Sequence, residues 1–175
     1  MNKLIIILFF LSYQLLISQE EKQFPQDYLG SYIGTLNITS PKGSQSLEME
    51  FHLNNTQKKD KYQYTIVYIV EGNRQERNYQ LLVKDMEKGL FEIDENNGII
   101  LSAQFTNGVL YSMFEVQGNL LTTTERFYED KMEFEITFAN KAQKVVSGNT
   151  NEETPEVISY PITVVQSATL YKQKI

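Results

Sequence analysis

The chain has no cysteine, no tryptophan, a single histidine and only four prolines in 175 residues. Each scarcity excludes something. Without thiols there is no disulfide framework, no thiolate nucleophile and no cysteine-bound zinc. His52 stands alone between Glu50 and Asn54 on the polar face of a strand-like stretch. Zinc needs three or four ligands, so His52 reads as a solvated surface residue rather than a zinc or haem ligand. No G-x-S-x-G elbow, phosphate-binding loop or G-x-G-x-x-G motif occurs. The expectation is accordingly a protein with no catalytic residues, no metal and no cofactor: a binding module and not an enzyme.

Long apolar runs are also scarce. The exception is Leu4 to Leu11, which follows Met1-Asn2-Lys3 and gives way to a more polar stretch ending at Ser18-Gln19. A short positive lead and a short apolar run describe a secretory signal peptide over residues 1–18, with an N-terminal membrane anchor as the alternative. No cysteine is present to carry a lipid anchor. The expected location is therefore secreted or periplasmic, with no integral membrane span after cleavage. Cleavage after Ser18 leaves 157 residues with 15 basic and 22 acidic side chains, a net charge of −7. The basic residues form no stripe, which disfavours nucleic acid and anionic membranes as partners. Residues 19–175 are long enough for one domain that relies on its own core.

What the chain does have is a beat of tight turns. Asn97-Gly98, Asn107-Gly108, Gly118-Asn119 and Glu129-Asp130 fall about ten residues apart, with alternating apolar segments between them. Asn and Gly supply the positive φ that two-residue hairpin loops require, so neighbouring segments pair antiparallel. Gln45 to Leu53 shows the pattern plainly: Leu47, Met49, Phe51 and Leu53 on one face, Glu48, Glu50 and His52 on the other. Tyr62 to Glu71 is apolar on both faces, which predicts a partly covered outer face. Further strands are expected at about 30–39, 75–84, 90–94, 99–106, 109–117, 120–128, 131–139 and 160–172. Residues 19–29 offer one helical turn at a barrel end, and Asn140 to Ser159 reads as a long, mobile surface loop. Nine or ten such strands hide their edges most simply as an all-β, up-and-down antiparallel barrel. A two-sheet sandwich is the alternative.

Tyr28-Leu29-Gly30-Ser31-Tyr32-Ile33-Gly34 resembles the opening of the calycin superfamily, in which lipocalins and fatty-acid-binding proteins start their first strand with a Gly-x-aromatic element behind a short closing helix. Glu76-Arg77-Asn78-Tyr79 and Asp94-Glu95-Asn96-Asn97-Gly98 are similar to segments of exported lipocalin-like proteins of flavobacteria. The chain departs from that pattern in carrying Tyr32 where lipocalins have Trp, and in lacking their cysteines. The resemblance implies a barrel cavity for a small apolar or amphipathic molecule.

The candidate site residues are two Arg-x-Tyr pairs. Arg77 and Tyr79 share a strand face with Leu81 and Val83; Arg126 and Tyr128 share one with Leu120, Thr122 and Thr124. An Arg fork beside a phenol can hold a carboxylate by charge-assisted hydrogen bonds, which resembles head-group binding in fatty-acid-binding proteins. Alternatively, each Arg sits at a rim and pairs with Glu76 or Glu125. Tyr64, Tyr68, Phe114 and Phe134 are the expected apolar wall. Asp94 to Gly98 fails the calcium-loop spacing and reads as a plain turn. The leading expectation is ligand binding in the lumen. A filled barrel acting through its surface and an enzyme with a lumenal site are the alternatives.

Overall fold

The computed structural model describes residues 22–149 and 153–174; the expected signal peptide lies outside them. Ten strands close into one antiparallel barrel: β1 (Gly30–Ser40), β2 (Gly43–Asn55), β3 (Lys61–Val70), β4 (Asn73–Asp85), β5 (Leu90–Asp94), β6 (Ile100–Thr106), β7 (Val109–Val116), β8 (Asn119–Phe127), β9 (Lys131–Asn140) and β12 (Ile162–Lys172). Each strand from β1 to β9 pairs with the next. β12 then lies between β9 and β1, pairing from Tyr32 opposite Lys172 to Thr39 opposite Val165. Closure leaves no sheet edge, and the sandwich alternative falls away.

The turns follow backbone chemistry. Between β6 and β7, Asn107 and Gly108 have φ of 50° and 77°, the two positive values of a mirror-image type I turn whose twist suits a hairpin. Between β7 and β8 the positive-φ pair is Gln117-Gly118, one residue before the expected Gly118-Asn119. Gly takes the second central position, and Asn119 opens the strand. The Asp94 to Gly98 stretch is a turn held locally: the Asn96 amide donates to Asp94 Oδ1 at 2.8 Å and the Ile99 amide to Asn97 Oδ1 at 2.9 Å.

The expected long loop carries regular structure. After a 3₁₀ turn at Lys141–Gln143, β10 (Val145–Ser147) and β11 (Val157–Ser159) pair as a separate two-stranded sheet outside the barrel. Adjacent β-branched residues on both arms, Val145-Val146 and Val157-Ile158, favour the paired strands.

Inward residues make the core. Tyr32 and Leu36 of β1, Met49, Phe51 and Leu53 of β2, and Met132 and Phe134 of β9 are all buried. One end is plugged by aromatic rings. The expected closing helix is a single 3₁₀ turn, Gln26–Tyr28. Phe24, just before it, stacks on Phe105 at 4.1 Å and meets Phe91 edge-on at 5.1 Å. Tyr32 donates its hydroxyl to the Tyr28 carbonyl at 2.5 Å, tying the lead-in to β1. Gly34 is required where β1 meets β12: a Cβ there would stand 2.3 Å from the Thr169 carbonyl oxygen.

The outer face of β3 is partly covered, as its two-sided apolar pattern predicts: Thr65 and Val67 are buried, Ile69 half-buried and Gln63 exposed. Val67 is buried on the outside, between Glu50 of β2 and Glu76 of β4 in register. Arg74 reaches across to hold Glu50 by two hydrogen bonds, 2.6 and 2.9 Å.

Candidate functional site

The end of the barrel opposite the plug retains a cavity of about 130 Å³. Six of the eight sequence-derived candidates line it: Tyr64, Tyr68, Arg77, Tyr79, Phe114 and Phe134. Their placement follows from strand parity. Tyr64 and Tyr68 alternate inward on β3, and the pairing of Tyr64 with Tyr79 and Ile66 with Arg77 puts the β4 residues on the same lumenal wall. Phe114 enters from β7 and Phe134 from β9, and Ile66, Ile93, Leu101 and Ile136 complete the apolar lining.

Arg77 is exposed at the mouth of the cavity, and no salt bridge or hydrogen bond holds its guanidinium among the described residues. The rim pairing with Glu76 is not formed. Glu76 faces outward and lies 3.7 Å from Arg74 instead. Glu95 also lines the mouth. Burial pushes the Tyr68 hydroxyl up to about 12, with the neighbouring Tyr79 reinforcing the shift and Arg77 opposing it. The Tyr79 hydroxyl is raised as well, by burial and then by Glu95. Both phenols therefore stay protonated at neutral pH and act as hydrogen-bonding groups.

Arg126 and Tyr128 are not in the lumen, which corrects the expectation that both Arg-x-Tyr pairs face inward. On β8 the inward set is Leu121, Thr123, Glu125 and Phe127, paired with Phe138, Ile136, Phe134 and Met132 of β9. Burying Phe127 in the aromatic plug is worth about 1.5–3 kcal/mol, and a strand cannot turn one residue inward without turning its whole alternate set. Arg126 therefore faces outward, opposite Glu133 in register. Tyr128 donates to Glu133 Oε2 at 3.0 Å, and Lys131 lies over its ring at 4.5 Å. A groove of about 360 Å³ on this outer wall is lined by Arg126, Glu133 and Glu135. It is larger than the lumenal cavity, but it is a concavity of the twisted sheet surface whose charges already face one another.

The same parity buries Glu125, which the sequence offers only as a rim partner for Arg126. Glu125 is 2% exposed and forms the cavity floor, where Tyr64 donates its hydroxyl to Oε1. Its Oε2 is buried with no hydrogen-bond partner. Burial raises the Glu125 carboxyl to about 7, only partly offset by the Tyr64 hydrogen bond. Burial and the adjacent carboxylate push the Tyr64 phenol well above its ordinary value. Local pattern carried little signal: Leu121, Thr123, Glu125 and Phe127 on one face are nearly balanced in polarity by Leu120, Thr122, Thr124, Arg126 and Tyr128 on the other.

His52 lies on the outer wall, bonded to Ser31 at 2.8 Å and Glu50 at 2.9 Å. Among the described residues no group of His, Asp and Glu is arranged to hold a metal ion, and no helix is long and apolar enough to cross a membrane.

These features define an all-β, closed ten-stranded antiparallel barrel with a lipocalin- or calycin-like fold and a small lumenal cavity. The S-type phycobiliprotein lyase CPES from Guillardia theta shares the fold at a TM-score of 0.59 and 6% sequence identity, over 86% of this chain and 90% of that one. No protein-family model matches the chain, and no curated protein matches it. The lyase corrects the expectation that a barrel of this kind is no enzyme: the same architecture carries a protein named for a reaction. At this identity the likeness is one of fold alone.

Proposed function

We propose that the protein is an exported barrel that binds a small amphipathic molecule in the lumenal cavity, with an acidic group held at the mouth by Arg77. The observation that carries this reading is the unpaired guanidinium of Arg77 on the rim of a preformed cavity walled by aromatic and aliphatic side chains. An anion there gains charge-assisted hydrogen bonds without displacing an internal partner. Tyr68 and Tyr79 add neutral donors beside it. Apolar contact with Leu101, Phe114 and Ile136 supplies affinity, and the few polar groups supply orientation.

Size limits the ligand. A cavity of 130 Å³ takes roughly four waters at about 30 Å³ each, well below the 300–1,000 Å³ of drug-sized pockets. The buried portion is therefore a short chain or small ring. Native mass spectrometry of the secreted protein, followed by organic extraction, tests the reading directly. A bound species lost on extraction supports it. A clean apo mass, with no affinity for short-chain carboxylates, sinks it. Fractionation of the producing cell tests export separately.

A further inference from the structure

We infer that Glu125 is a second anchoring site, on the cavity floor, that takes a protonated amine at the buried end of the ligand. This rests on the cavity being the binding site but not on Arg77. Glu125 comes from β8, between Leu110 of β7 and Phe134 of β9, neither of which offers a donor side chain. One carboxyl oxygen is used by Tyr64 from the opposite wall, and the other is buried, lines the cavity and has no partner. An unmet buried acceptor costs about 1–3 kcal/mol. A ligand donor that meets it gains what the empty fold lacks.

Charge and shape select the donor. The charged groups lining the cavity are Arg77, Glu95 and Glu125, so the ionised site carries one excess negative charge, which a cation neutralises. Around the carboxylate stand the rings of Tyr64, Tyr68, Tyr79, Phe114 and Phe134. Aromatic faces attract cations, and an ammonium brings three donors to be shared between Oε2 and the nearby hydroxyls. A neutral apolar tip would leave the carboxylate desolvated and unpaired, and a carboxylate there would meet a like charge. An amine at the floor and an acid at the mouth together describe a small zwitterion.

The groups facing Glu125 are Tyr64 and Tyr68 of β3, Arg77 and Tyr79 of β4 and Glu95 beyond β5, with only uncharged residues from β7 and β9. Burial raises the phenols of Tyr64, Tyr68 and Tyr79 away from neutrality and brings the Glu125 carboxyl up to about 7. An aliphatic ammonium stays charged up to about pH 10. Amine binding therefore strengthens as pH rises through about 7.

The test is an NMR titration of the mature protein with n-butylamine and, separately, sodium butyrate. Butylamine is expected to perturb the amides of Leu110, Glu125 and Phe134, and to bind more than tenfold tighter at pH 8 than at pH 5.5. Glu125→Gln is expected to lose at least tenfold in amine affinity and to abolish its pH dependence. If that variant does not fold, the pH dependence in the native chain decides. Butyrate binding without butylamine binding would overturn the floor anchor and leave the cavity reading intact. Butylamine binding that is indifferent to pH or to Glu125→Gln would overturn it too. Binding of neither probe would remove the cavity reading and the inference together.

Discussion

Tyr64 and Glu125 are hydrogen-bonded across the full width of the barrel. Their strands, β3 and β8, are five apart in either direction around the ring of ten, so the two side chains meet near the axis from opposite walls. This bridge separates the aromatic plug below from the cavity above. Removing it with Tyr64→Phe leaves both carboxyl oxygens of Glu125 unmet. The expected cost is about 1–3 kcal/mol in urea unfolding, with the Glu125 carboxyl raised further because the lowering hydrogen bond is gone. An unchanged unfolding midpoint would mean that the bridge contributes nothing to the fold.

Glu125 also sets the response of stability to pH. Its carboxyl sits at about 7 in the folded chain against an ordinary 4.5. Between those values the native state holds a proton that the unfolded state releases. Stability therefore falls as pH rises from about 4.5 to about 7 and then levels, losing about 3 kcal/mol in total. Glu125→Gln keeps an acceptor for Tyr64 but cannot ionise. Its melting temperature should stay level across that window and exceed that of the native chain at pH 8. A native-like slope in the variant would assign the titration to another group.

The two arginines separate function from surface chemistry. Arg77→Ala removes an exposed, unpaired side chain and should change stability by less than about 0.5 kcal/mol. It should weaken carboxylate binding ten- to hundredfold, the equivalent of about 1.5–3 kcal/mol for a charged hydrogen bond. Arg126→Ala, on the outer wall, should leave binding untouched. Calorimetry with butyrate on both variants would expose the assignment as wrong if Arg126 proved the sensitive one.

Phe24 holds the plug together from outside the barrel strands, with ring contacts to Tyr28, Phe91, Phe105 and Phe127. Phe24→Ala should cost about 3–5 kcal/mol, read as a lowered urea midpoint. A loss below about 1 kcal/mol would show that the lead-in merely rests on the barrel end.

The β1–β12 seam is the closure that completes the fold, and Gly34 permits its close approach. Gly34→Ala should destabilise by about 1–3 kcal/mol through crowding and speed amide exchange first along Ile33 to Ile38. Uniform loss of protection, or none, would argue against a local seam defect.

The strands were legible because their causes are local. Alternation in β2 and positive-φ residues at Asn107-Gly108 act within a few residues, and the antiparallel order follows from short turns. The inward set of β4 was legible too, since Leu81 and Val83 fix the side on which Arg77 and Tyr79 fall. On β8 the two faces are nearly balanced in polarity, and only packing decides. Phe127 reaches the plug built by Phe24, Tyr28 and Tyr32, and that distant gain turns Glu125 inward and Arg126 outward. No local pattern reports a hydrogen bond between residues 64 and 125. The sequence by itself determined strands, turns and the apolar wall; the closed barrel alone decided that a lone carboxyl would sit at the floor of the cavity, because only closure brings opposite walls within reach.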